Sequence, residues 1–422
     1  MNYRNLFDGV NNPIRLENGK VLIPINFDNG ATTPPLRSAV ATINGNIKNY
    51  ASIGRGAGQK ADYCTKKFEE SRDDILEFFN LKETTSHTVV FVKSTTEGLN
   101  LLANVLVKDK RELILTTRME HHANDIPWRF CARVDYIEVD ALGRIQLEDI
   151  ERKLMRYRGQ VKYVSITAAS NVTGYINDIN KIARICHKYG AKIVVDGAQI
   201  VAHKEVNMRG ECEEEQIDFL VFSAHKAYAP FGSGAVIGLK DYLGDVEPFL
   251  KGGGIVEHVY DDSLEWNRIP ERLEAGTQNF LGVIAMARAL KDLKSIGFEQ
   301  IFEHERQIKE YLIHEMKQMQ HVILYGDTNH IEDRLGIVCF NVKGCKFETV
   351  AEEFAKQKGI SMRYGKFCAH PYCDRLLGER FRPKYKKEDV ETGMIRVSLG
   401  LYNTMEEASV FIKHLSNYNK FE

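Results

Sequence analysis

Two rhythms alternate along this chain. Short apolar runs of strand length recur at residues 88–92, 113–117, 134–139, 161–167, 192–195 and 219–222. Between them, apolar side chains return every three or four positions, the period of an α-helix. Phe68, Ile75 and Phe79 predict a helix over 60–79, and residues 99–106 predict a second. Ile179, Ile182, Ala183, Cys186 and Tyr189 share one face of a third, with Gly190 where a helix C-cap belongs. Continuously apolar strands alternating with amphipathic helices imply a parallel sheet covered on both faces. Residues 25–28 predict a further strand, which turns into a helix start at Pro34-Pro35. Residues 232–238 are expected to form an antiparallel edge strand, and Gly252-Gly253-Gly254 a tight turn or hinge.

From about residue 290 the rhythm changes. A long amphipathic helix is expected over 298–319, strands over 335–342, and a last helix opened by the capping box Thr404-Met405-Glu406-Glu407. The expected organisation is an N-terminal segment (1–24) packed on a small domain, a large domain (25–289), and a smaller α+β domain (290–422). Residues 384–391 are charged and are expected to form a solvated loop. A chain of 422 residues exceeds one ordinary core, which also favours two domains.

Composition narrows the function classes. Hydrophobic residues make up 43% and charged residues 27%, as in ordinary globular proteins. A net charge of −1 provides no basic field for nucleic acid or an anionic membrane. No apolar run approaches the roughly 20 residues of a membrane span, and the first 20 residues lack a signal-peptide core. The eight cysteines are scattered without a CxxC pair, which predicts reduced thiols and a cytoplasmic setting. Cys368 and Cys373 lack the neighbours a metal site needs, and no metal is expected.

Candidate chemistry gathers at the carboxyl ends of the strands, where open α/β sheets bind ligands. Ser223-Ala224-His225-Lys226 follows the strand 219–222. A desolvated lysine there can lose its proton and form an imine with an aldehyde. Asp196 ends the strand before it and can pair with a protonated pyridine nitrogen. Ser94-Thr95-Thr96-Glu97-Gly98 opens a helix, whose free amides and hydroxyls can take a phosphate or simply be capped by Ser94 or Thr95. His121, at another strand end, can stack on a ring. A lysine, an acidic partner and a phosphate cup are together the requirements of pyridoxal 5′-phosphate.

On these and further motifs the sequence resembles the class V aminotransferase family of fold-type I pyridoxal phosphate enzymes, in its cysteine desulfurase/selenocysteine lyase branch. The motifs are Thr95-Thr96-Glu97-Gly98, Glu120-His121-His122-Ala123-Asn124, Ser170-Asn171-Val172-Thr173-Gly174 and Val195-Asp196-Gly197-Ala198-Gln199. They continue with Ser223 to Lys226, Glu274-Ala275-Gly276-Thr277, Arg363-Tyr364-Gly365-Lys366-Phe367-Cys368-Ala369 and Arg396-Val397-Ser398-Leu399.

The resemblance implies a mostly parallel seven-stranded sheet in the large domain. It implies that Lys226 holds the cofactor as an aldimine and removes the substrate α-proton. By the same resemblance His121 stacks on the ring, Asp196 binds its nitrogen and Gln199 its phenolic oxygen. Thr95, Thr96, Ser223 and His225 hold the phosphate, with Thr277 supplied by the partner of a homodimer. Asn171, Arg363 and Arg396 hold the substrate. Cys368 takes sulfur from L-cysteine, leaving L-alanine, and passes the persulfide to an acceptor protein.

The short segment around Cys368 is like the group II members, which often carry two His where this chain has Lys366 and Phe367. The sequence after it resembles a subgroup with a CAxPY pattern. The loop 53–58 keeps Arg55 but lacks the His residues common there. These departures leave two other readings: a selenocysteine or cystine lyase or another enzyme of the family, and a non-catalytic scaffold that keeps the fold.

Overall fold

Residues 219–223 show how the large sheet is built. Phe219 and Val221 face one apolar cluster, with Leu99, Leu102 and Val236. Leu220 and Phe222 face the other, with Phe79, Val195 and Ile237. The strand is thus buried on both faces, as its unbroken apolar run requires. The computed structural model describes residues 3–54, 56–230, 232–378 and 393–418; Arg55 and the segment 384–391 lie outside the described residues.

Seven strands form this sheet: β1 (His87–Val92), β2 (Leu113–Thr117), β3 (Arg133–Ile137), β4 (Val161–Thr167), β5 (Lys192–Asp196), β6 (Phe219–Ser223) and β7 (Gly234–Leu239). Their spatial order is β1-β7-β6-β5-β4-β2-β3. The strands from β2 to β6 pair in parallel, whereas β7 runs antiparallel to both of its neighbours. The expected antiparallel strand is therefore present but is not an edge. Its Ala235 and Val236 are fully buried and both of its sides are paired, while β1 takes the outer position.

Helix Thr95–Leu106 begins immediately beyond β1. Gly98 lets it lie close to the sheet, because a Cβ there would come 2.4 Å from Val221 and 2.8 Å from Val236. Helices Gln59–Phe78 and Phe280–Ile296 pack with each other, and their apolar residues join the cluster on the opposite face.

A hairpin of β8 (Val256–Val259) and β9 (Leu264–Trp266) follows the glycine turn. A smaller antiparallel sheet comprises β10 (Val322–Tyr325), β11 (Ile337–Val342), β12 (Arg363–Gly365) and β13 (Met394–Ser398), in the order β10-β11-β13-β12. Helices Phe298–Lys317 and Met405–Ser416 supply Ile308, Leu312, Phe411 and Leu415 to its separate core. The capping box at Thr404 is formed as expected, with both reciprocal hydrogen bonds to Glu407.

The N-terminal segment touches both parts. Phe7 packs on Tyr228 and Tyr402, and Arg4 pairs with Glu407. Ile25–Asn26 pairs in parallel with Ile360–Ser361, which ties the chain entering the large sheet to the small one. No helix among the described residues is long and apolar enough to cross a membrane.

Candidate active site

Parallel strands release their chains at one edge of the sheet, so residues distant in sequence meet there. A cavity of about 340 Å³ lies at this edge. It is lined by Thr95 and Thr96 beyond β1, His121 beyond β2, Asn171 beyond β4, Asp196 and Gln199 at β5, and Ser223, His225 and Lys226 at β6. The smaller sheet contributes Arg363, Phe367, Cys368 and Arg396. Of the expected site residues only Thr277 lies elsewhere. It is exposed and lines a different pocket, with Phe91 and Phe249.

Lys226 sits in the single helical turn after β6. Burial pushes its ammonium down to about 8, opposed by Asp196 and helped by Arg396. Asp196 is 3% exposed, accepts the Ala198 amide at 2.9 Å, and is held above its ordinary range by burial. An amine lowered by burial thus faces a carboxyl group raised by burial.

The helix start is tied to the lysine strand. The Thr95 amide donates to Ser223 Oγ at 2.7 Å, and the two hydroxyls lie 2.8 Å apart. Ser94 caps the helix by accepting the Glu97 amide and also lines the cavity, together with Thr95 and Thr96. His225 Nδ1 lies 3.1 Å from Thr32 Oγ1, and burial pushes its pKa down to about 4.

His121 is lowered to about 3, first by burial and then by Lys226. Its neutral Nδ1 accepts the Ala123 amide at 3.1 Å, which orients the ring. Gln199 donates to the Gly30 carbonyl at 2.9 Å.

The arginines form a second group. Arg396, 2% exposed, donates to the Asn171 carbonyl at 2.8 Å and to Asp28 at 3.3 Å. Its Nε is buried without a hydrogen-bond partner. Gly30 admits this guanidinium, because a Cβ there would meet it at 3.1 Å. Arg363 reaches the same Asp28 from β12. Asp28 closes the group from behind, a role not anticipated from the sequence; one acid at the end of a short strand carries no pattern of its own.

Cys368 lies exposed at the mouth of the cavity. Phe367 and Cys368 both have left-handed backbones, with φ of 50° and 53°. Bulky residues seldom adopt this conformation. Contacts that hold it include Ala369 N–H to the Lys366 carbonyl (2.8 Å), Asn171 Nδ2 to the Phe367 carbonyl (2.8 Å), and the Arg396 guanidinium over the Phe367 ring (5.0 Å). Lys366 pairs with Asp374. Cys373 is buried, and its thiol donates to the Lys366 carbonyl at 3.3 Å.

Comparison with known proteins fits this geometry. The family model for aminotransferase class V matches residues 25–411. A Klebsiella pneumoniae cysteine desulfurase is 33% identical over 381 residues, covering 88% of this chain and 87% of that protein. An Escherichia coli cysteine desulfurase is 32% identical with the same coverage. The apo structure of a cysteine desulfurase from Thermococcus onnurineus superimposes with a TM-score of 0.83 at 30% identity, covering 93% of this chain and 94% of that one. The S-sulfonic acid form of an Escherichia coli cysteine desulfurase shares the fold at a TM-score of 0.80, with 23% identity and coverage of 98% and 96%. The chain belongs to the class V aminotransferase family, in its cysteine desulfurase branch.

Proposed function

We propose that this chain is a pyridoxal 5′-phosphate-dependent cysteine desulfurase that converts L-cysteine to L-alanine and carries the sulfur as a persulfide on Cys368. The observation that carries this reading is one cavity lined by both Lys226 and Cys368, one bearing an amine lowered to about 8 and the other an exposed thiol.

The donor set fits the cofactor. Lys226 supplies the amine, and Asp196 is a buried carboxyl group for the pyridine nitrogen. His121 supplies a neutral ring, and Gln199 an amide for the phenolic oxygen. Thr95, Thr96, Ser223 and His225 surround the start of helix Thr95–Leu106, where amides and helix dipole favour a phosphate. When bound, the cofactor supplies an electron sink for the substrate α-carbon.

The remaining work falls to the protein. Arg363, Arg396 and Asn171 hold the substrate carboxylate, for which an arginine fork is suited. Lys226, neutral above about pH 8, accepts the α-proton. The Cys368 thiolate attacks the substrate sulfur. The carbon–sulfur bond breaks, the carbon keeps its electron pair and is protonated, and the sulfur stays on Cys368. An exposed thiol is then positioned for an acceptor protein. Thr277 completes the phosphate cup from a second copy of the chain in a homodimer. The eight free thiols fit a cytoplasmic setting. Residues 25–289 act as the cofactor-binding domain and 290–422 as the domain that brings Cys368 to it, with residues 1–24 packed alongside.

The test is incubation of the reconstituted enzyme with L-cysteine while alanine and persulfide are assayed. Cys368→Ala should abolish both products and leave the cofactor absorbance intact. Alanine and sulfide released at the wild-type rate by Cys368→Ala would overturn the persulfide mechanism and favour a lyase.

A further inference from the structure

The turn that presents Cys368 is held from the side by the residue after His121. The His122 N–H donates to the Cys368 carbonyl at 2.6 Å. The His370 N–H, two residues past the thiol, donates to His122 Nε2 at 3.4 Å. The two imidazoles meet edge to face with centroids 4.5 Å apart. A backbone N–H can only donate, so Nε2 must be unprotonated for this contact to exist. His122 therefore holds the chain at the Cys368 carbonyl and again at the His370 amide, on the C-terminal side of the left-handed pair Phe367–Cys368.

We infer that His122 is a positioning residue for the Cys368 thiol, and that its imidazole forms an acid-labile latch on the turn. The inference rests on the reading of Cys368 as the sulfur-carrying thiol. It identifies what does the steadying in a chain where Lys366 is committed to Asp374 and Phe367 to Arg396.

The groups around the ring decide the sign of the effect. From the thiol segment His122 faces His370; from its own turn, His121 at 6.4 Å. From the following helix it faces Asp125 and Arg129. Asp125, which accepts Arg129 Nε at 2.8 Å and the Tyr136 hydroxyl at 2.9 Å, favours the imidazolium, but less than burial and His370 oppose it. Burial first, then His370, holds the His122 pKa below the ordinary histidine value. The latch is closed at neutral pH. As pH falls below the ordinary value and through the lowered one, Nε2 gains a proton, the acceptor is lost, and the new charge faces His370.

Hydrogen–deuterium exchange of the 366–370 amides tests the latch without substrate. His122→Ala should speed exchange at His370 about fivefold at neutral pH, the effect of one lost neutral hydrogen bond. His122→Gln, which keeps an acceptor that does not titrate, should restore protection. As pH falls from about 7.5 through and below the unperturbed histidine value of about 6.5, wild-type protection should fall relative to His122→Gln. In turnover, His122→Ala should lower kcat for persulfide formation and leave KM for L-cysteine within about twofold, because the arginine pair is untouched. Unchanged exchange and kcat in His122→Ala, or no recovery in His122→Gln, would overturn the latch. Altered exchange without persulfide in the wild type would leave the latch standing and remove the desulfurase reading instead.

Discussion

Asp28 holds Arg363 in a two-point grip, with Arg363 Nε on Oδ1 at 3.2 Å and a terminal nitrogen on Oδ2 at 2.8 Å. Arg396 reaches the same carboxylate. One acid thus fixes the spacing of both guanidinium groups, whose residues line the cavity. Asp28→Asn keeps the shape and removes the charge. KM for L-cysteine should rise about tenfold or more, the scale of a charge-assisted hydrogen bond lost from substrate orientation. The kcat should change much less, because Lys226 and Cys368 are not bonded to Asp28. A fall in kcat at constant KM would contradict this assignment of Asp28 as an orienting group.

Lys226 provides a pH prediction whose sign follows from its surroundings. An exposed lysine is half neutral only near 10.5, whereas burial lowers this one to about 8. The neutral amine is the form that captures an aldehyde. Apoprotein mixed with pyridoxal phosphate should therefore gain visible absorbance faster as pH rises, with a midpoint near 8. The Asp196 charge opposes the lowering, so Asp196→Asn should move the midpoint to lower pH. A midpoint that moves upward in Asp196→Asn would show that the two groups do not interact in this way. Lys226→Ala should develop no such absorbance.

Strand ends were legible in the sequence because a strand buried on both faces leaves an unbroken apolar run, and its last residue marks the edge where chemistry gathers. That is why Asp196, Ser223 and Lys226 could be placed without coordinates, and why Thr404 could be seen to open the last helix. Hairpin β8–β9 left no such trace: Glu257, His258, Val259 and Leu264 are all exposed, so burial imposed no pattern on them. Strand β7 is internal to the sheet, where its sequence predicts an edge. Its apolar residues report burial, but they cannot report that β1, far earlier in the chain, pairs outside it. Asp28 and His122 act through carbonyls and guanidinium groups brought from the smaller sheet, and contacts of that kind have no local spacing. The left-handed Phe367 and Cys368 were hidden for a related reason, since turns of this sense are usually marked by glycine or asparagine.

Within the Glu274-Ala275-Gly276-Thr277 motif, Glu274 is a structural residue. It is 7% exposed and receives Arg72 at two points, 2.8 and 2.7 Å, as well as the Phe91 N–H at 2.6 Å. Arg72 also donates to the Val89 carbonyl at 2.8 Å and lies over the Phe68 and Phe91 rings. The pair therefore ties the segment that carries Thr277 to strand β1 and helix Gln59–Phe78. Breaking a buried pair outright costs about 3–5 kcal/mol, and here Arg72 would keep the half-exposed Glu69 as a partner at 2.9 Å, which lowers that cost. Glu274→Ala should lose about 2–3 kcal/mol in urea unfolding, the scale of hydrogen bonds to a charged group rather than of a bare buried charge. The double change Arg72→Met with Glu274→Leu should recover part of the loss, because it leaves no bare charge. If Glu274→Ala costs less than about 1 kcal/mol, the range of an exposed pair, the guanidinium must find water or another acceptor, and the motif's first residue would not anchor its last.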